Sequence, residues 1–164
     1  MMEKEDETPT PLMQRVKAQA EVLVPLLHHL RAELGEDRAN DLVYPALRDY
    51  VRKWTSDMAS FDFDDPIENW RKTSETLEAQ FEGDVDYEVL RDDAEGMDFN
   101  VTGCRYADFF RQLNEPELGA ILTCEVDDHI AELSAPAVSL SRPNTMMKGG
   151  VNCPFRYQFI DQDE

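Results

Sequence analysis

Three cysteines fall beyond residue 100 of this chain: Cys104 beside Arg105 and Tyr106, Cys124 beside Glu125, and Cys153 between Asn152 and Pro154. Each has polar neighbours that plain apolar packing does not require. One stretch of sequence therefore holds thiols, the carboxylates of Asp127 and Asp128, and the guanidinium groups of Arg142 and Arg156. Thiolates attack electron-poor carbon or bind metals, carboxylates move protons, and forked guanidinium groups hold carboxylates. A reactive pocket is the first expectation.

The spacing limits which of these groups can meet. Asp127 and Asp128 follow Cys124 by three and four residues, so on a helix all three share a face. That face can hold a base or part of a metal site, or it can show carboxylates to water, as acidic helices usually do. Cys104 precedes a helix, whose N-terminal dipole lowers a thiol pKa; the alternative is a buried sulfur packed as a small apolar group. Cys153 alternates with Phe155 and Tyr157. In a regular strand its sulfur then points to the apolar side and Arg156 to the other. The gaps between cysteines match no zinc motif, and neither a CxxC pair nor an HxxxH occurs. An odd cysteine count also argues against a disulfide framework. Buried thiols, a metal site and a nucleophile all stay open.

The elements that position these groups are read from periodicity. Leu12, Val16, Leu23, Leu27, Leu30 and Leu34 trace one helical stripe that Gly35 can end, with a kink expected at Pro25. A second helix is expected from Asp37 to Trp54, with Leu42, Val43, Ala46, Tyr50 and Trp54 inward. A third starts from a cap at Asp65 and Pro66 at its first position, burying Ile67, Trp70, Ser74, Leu77 and Phe81. The period then changes to two: Tyr87 and Val89, then Met97, Phe99 and Val101, form a hairpin around Glu95-Gly96. A short helix through Tyr106, Phe110 and Leu113 follows. A longer one opens at Pro116, runs to Leu133 and is ended by Pro136. Val138 and Leu140, then Cys153, Phe155, Tyr157 and Phe159, read as strands joined across Gly149-Gly150. The whole is an α+β fold, with N-terminal helices packed on a small antiparallel sheet and two further helices. Residues 1–11 are expected to be a flexible acidic start, residues 12–160 one domain, and Asp161 to Glu164 a frayed end.

At 164 residues and 41% apolar content, one sizeable core is possible. Asp and Glu number 35 against 16 Lys and Arg, and the net charge of −19 repels nucleic acid and anionic lipid alike. The start carries no signal-like apolar segment and the chain has no run of membrane-spanning length, so a cytoplasmic protein is expected. Its expected partner is a small molecule, with self-association into a homo-oligomer left open.

Four stretches resemble the L-2-amino-thiazoline-4-carboxylic acid hydrolase family: Phe99 to Ala107, Glu117 to Cys124 with Asp127, Leu140 to Met147 with Gly149, and Cys153 with Phe155-Arg156-Tyr157. The helical half, around Glu21, Pro25 and Glu33 to Ala39, fits more loosely. The resemblance implies opening of a cyclic isothiourea ring toward a carbamoyl-cysteine. It selects Cys104, Cys124, Asp127, Arg142, Thr145, Cys153 and Arg156. Asp127 would be base or metal ligand, Cys124 nucleophile or metal-binding sulfur, Arg142 or Arg156 a carboxylate clamp, and Thr145 a hydrogen-bond donor. A divalent metal stays open as cofactor. The chain departs from the family where Pro143-Asn144 replaces Thr-Gln, and where Asn152 and Pro154 replace His and Asp. A hydrolase then predicts an enclosed pocket where the sulfurs approach Asp127. A binding domain that kept the fold without the chemistry predicts a larger apolar cavity with the cysteines dispersed.

Overall fold

The computed structural model describes residues 10–59, 63–81 and 83–160. The acidic start up to residue 9 and the last four residues, for which flexibility was expected, lie outside them. Helix α1 (Leu12–Leu34) buries Leu12, Met13, Val16, Ala20 and Leu27 and runs on through Pro25. Gly35, at φ +83°, reverses the chain where a Cβ would be strained, and its N–H still reaches Arg31 O at 2.9 Å. Helix α2 (Glu36–Met58) is one turn longer than expected and turns its buried face only partly along the expected stripe. Tyr44, Val51 and Thr55 are buried and Val43 and Trp54 pack partly buried against the core, whereas Leu42, Ala46 and Tyr50 are exposed. Polar groups decide this. Arg31 donates to the Tyr44 hydroxyl at 2.9 Å, and Thr55 donates to Val51 O at 2.8 Å, so both hydroxyls enter the interior already satisfied.

Helix α3 (Pro66–Phe81) starts as expected, with Ile67 N donating to Asp65 Oδ1 at 2.8 Å, and buries Trp70, Thr73 and Leu77. Strands β1 (Val85–Asp92) and β2 (Gly96–Cys104) form the hairpin, whose turn is held by Asp93 Oδ1 accepting from Glu95 N and Gly96 N. Helix α4 (Arg105–Gln112) follows without a linker. The expected long helix proves to be three joined pieces: α5 (Pro116–Gly119), a wider π turn (Ala120–Cys124) and α6 (Glu125–Leu133). Strands β3 (Val138–Ser141) and β4 (Cys153–Phe159) complete an antiparallel sheet of order β1-β2-β4-β3. Among the described residues no helix is long and apolar enough to cross a membrane.

Register builds the sheet's inner face. Val101 opposes Cys153, Phe99 opposes Phe155, and Met97 opposes Tyr157. The Phe99 and Phe155 rings stack at 4.5 Å, and Trp70 from α3 lies against Tyr157 and Phe159 at 4.5 and 5.0 Å. Within the helical layer, Glu115 is only 3% exposed and receives Arg31 at 2.6 Å and His28 at 2.8 Å, fixing the entry to α5 against α1. Gly119 follows where space runs out. An added Cβ would meet Phe110 Cγ at 2.5 Å and Met147 Sδ at 2.7 Å. Gly119→Ala should therefore lower stability by about 1–3 kcal/mol through overpacking, as a shifted urea midpoint at unchanged m-value.

Candidate active site

A cavity of about 710 Å³ lies between α3 and the inner face of the sheet. Its exposed lining residues, among them Glu75, Glu78 and Tyr87, mark the mouth between α3 and β1, where the Tyr87 hydroxyl bonds the Glu78 carboxylate. Its inner end is polar. There Cys104, Cys124, Cys153, Asp127 and Arg142 line one space. Residues far apart in sequence thus meet, and all three cysteines are free thiols.

Each group is held by the element that carries it. Cys104 ends β2 and caps α4, its sulfur accepting Ala107 N–H at 3.4 Å. Cys153 opens β4, and its sulfur accepts Met146 N–H at 3.1 Å. Cys124 closes the π turn, its sulfur 3.8 Å from Thr123 Oγ1. A π turn inserts a residue into the helical count and is often found at functional sites; here it lies directly before the helix that carries Asp127. Arg142, 7% exposed, gathers that helix face by donating to Cys124 O at 2.9 Å, Asp127 at 3.2 Å and Asp128 at 2.6 Å. Its guanidinium also sits 4.8 Å from the Phe155 ring centre. Cys124 and Asp127 line the cavity together, as their spacing predicts, whereas Asp128 lies off the lining and stays 44% exposed.

Burial sets the electrostatics. It raises the Asp127 carboxyl to about 6, with the nearby Arg142 pulling it down and Asp128 pushing it up. Asp128 is raised for the same first reason. Burial works against the Arg142 charge, but the two carboxylates outweigh it and the group is raised. Burial also pushes Cys124 to about 12, against the pull of Arg142. For Cys104 burial again comes first; the backbone N–H groups at the start of α4 act downward, as expected of a helix N-terminus, but do not prevail. Cys153 is raised by burial against Met146 N–H and Arg142. Tyr157 is raised well above the ordinary phenol by burial, so its hydroxyl is neutral.

The thiols are thus protonated at neutral pH. All three should react with iodoacetamide more slowly than free cysteine at pH 7.5, at least several-fold, and at the ordinary rate once denaturant unfolds the chain. Mass spectrometry of the labelled protein reads this directly.

Two candidates lie elsewhere. Arg156 does not line the cavity, because β4 is regular and turns it away; it donates to Phe99 O at 3.0 Å, Phe155 O at 2.7 Å and Asn100 Oδ1 at 2.9 Å. Thr145 is also off the cavity. It caps the short 3-10 turn Met146–Lys148, accepting Lys148 N–H at 3.2 Å. As a metal centre the cluster fits poorly. Among the described residues no three His, Cys, Asp or Glu side chains are grouped as ligands, and Arg142 already occupies the cation's place beside Asp127. Not singled out as site residues were the aromatic walls, Trp70, Phe99, Phe155 and Tyr157. The alternation with Cys153 carried the signal for the last two, since period two puts all three on one face.

No curated protein matches the chain. The family model for L-2-amino-thiazoline-4-carboxylic acid hydrolase matches residues 15–157, nearly the full length, and the chain belongs to that family.

Proposed function

We propose that this protein hydrolyses a cyclic isothiourea or a related amide-like ring, with Asp127 as the acid–base group. Water adds to the ring carbon between nitrogen and sulfur, Asp127 takes its proton, and the carbon–sulfur bond breaks. The added hydroxyl gives its remaining proton to the ring nitrogen as the carbonyl forms, and Asp127 returns the first proton to the departing sulfur, so the product keeps both nitrogens on a new carbonyl carbon and carries a free thiol. The observation that supports this most is a carboxyl raised to about 6 inside a cavity, close to the operating pH that general acid–base catalysis favours. Burial holds the Cys124 thiol at about 12, so the site offers no ready thiolate, and water activated by Asp127 as it adds serves as the nucleophile. Cys104, Cys124 and Cys153 then act as neutral walls and weak S–H donors.

Family membership supports the reaction type. The departures at Asn152 and Pro154 count little against it: both flank Cys153, and neither lines the cavity. One observation favours the second reading, a domain that binds a ligand without turning it over. The cavity is large and mostly apolar, as that reading expects, although the sulfurs converge as the hydrolase expects.

The test is turnover of 2-aminothiazolines, read as thiol appearance and as addition of one water by mass spectrometry. Wild type should open a ring, and single Cys→Ala variants should keep measurable activity. A protein that binds such rings and returns every one intact supports the binding domain instead.

A further inference from the structure

We infer that the ring opened at this site carries an uncharged apolar arm of aromatic size and no carboxylate. The inference rests on the proposed hydrolysis for its reacting head and on the cavity for the rest. A bare aminothiazoline carboxylate fills well under half of the 710 Å³, even at about 30 Å³ per heavy atom, a water's share of liquid volume. The remaining space runs from the polar end toward the mouth between two apolar walls. On one side stand Trp70, Leu77 and Phe81 of α3, and on the other Phe99, Phe155 and Tyr157 of the sheet. Such walls gain by contact with an apolar group and gain nothing from water.

The charges point the same way. The ionisable acids and bases that line the cavity are Glu75, Glu78 and Asp127 against Arg142 alone, and among the described residues no lysine joins them. Both terminal nitrogens of Arg142 already serve Asp127, Asp128 and Cys124 O. Arg156, the other forked donor expected to hold a carboxylate, is bound on the opposite face of the sheet. An anionic substrate would enter past Glu78 and past Glu75, which Lys72 pairs at 2.9 Å, and would rest beside Asp127 with Arg142 already bonded to the α6 face. A neutral ring, or an amidine-type cation able to pair with Asp127, meets no such opposition. The arm then lies toward Ala79 and Tyr87, with the ring at Cys124 and Asp127.

The experiment compares three probes by calorimetry and by turnover: 2-aminothiazoline, its 4-phenyl derivative and its 4-carboxylate. The phenyl compound should bind about 100-fold tighter than the carboxylate, as expected when an aromatic arm is buried. Ala79→Trp, at an exposed position on the mouth, should reduce binding of the phenyl compound at least about tenfold and that of the unsubstituted ring by a smaller factor. Equal or tighter binding of the carboxylate overturns the inference, and so does phenyl binding that ignores Ala79→Trp. The two proposals separate cleanly. A phenyl compound bound tightly but returned intact removes the hydrolysis and keeps the apolar occupant, whereas a carboxylate bound best and opened keeps the hydrolysis and removes the arm.

Discussion

Arg142→Met should cost about 3 kcal/mol at pH 8, the lower end of the range for removing one partner of a buried ion pair. Arg142 is 7% exposed, while Asp127 and Asp128 retain 22% and 44%, so partial hydration moderates the loss. Methionine keeps much of the apolar contact with Phe155 but leaves two neighbouring carboxylates without their shared cation. The effect must depend on pH. Asp127 already binds its proton more tightly folded than unfolded, about 6 against 3.8, and losing Arg142 raises it further. An acid raised on folding gives a folded state that holds more protons between the two values, so stability falls as pH rises through that window. The substitution should therefore cost least near pH 5, where Asp127 is protonated, and most above pH 7. Urea unfolding of both proteins at pH 5 and pH 8 measures the difference. An equal cost at both values would mean that Arg142 acts by packing on Phe155 and not by neutralising the acids.

How much of this was legible beforehand depended on whether a residue's partner was local. Helix α3 was readable because its cap at Asp65 and Pro66 and the stripe through Trp70 and Leu77 all lie in one continuous segment, each signal set by neighbours a few residues away. The Cys153-Phe155-Tyr157 alternation likewise placed a sulfur on the cavity side and turned Arg156 away, as a regular strand must. The meeting of Cys104, Cys124 and Cys153 was expected from their polar neighbours and the family resemblance; it needed the register that pairs Val101 with Cys153, which no local pattern encodes. The face of α2 was misjudged in part: Val43 and Trp54 do pack on the core, but the Tyr44 hydroxyl, answered by Arg31, is buried where Leu42, Ala46 and Tyr50 were expected. The π turn was invisible for a similar reason. Ala120 to Cys124 reads as ordinary helix, and the widening accompanies its packing between α2, α5 and α6. Thr145 was chosen by resemblance alone, and its hydroxyl serves the backbone of its own turn.

Asp127→Asn should abolish most turnover and yet stabilise the protein, and this paired outcome separates a catalytic carboxylate from a structural one. Removing a positioned general base typically costs about 10²–10⁴ in rate. Wild-type turnover should rise as pH passes through about 6, where Asp127 ionises, and the variant's residual rate should lack that step. The stability sign follows from the same shift. Above pH 6 the folded protein carries an ionised carboxylate that burial disfavours by about two pKa units relative to the unfolded chain, which corresponds to roughly 2–3 kcal/mol. Asparagine carries no such charge, and Arg142 keeps Asp128 as its partner. Relative to wild type, the variant should then gain stability between pH 5 and pH 8 by up to that amount, less whatever the lost bond to Arg142 was contributing. Destabilisation held locally for function is a recurrent feature of active sites. Unfolding curves for the two proteins at both pH values, set beside their pH–rate profiles, decide the matter. If the variant turns over as fast as wild type, Asp127 is not the base; if it loses activity and stability together at pH 8, the carboxylate holds the α6 face to Arg142 and the proton-transfer role must pass to another group.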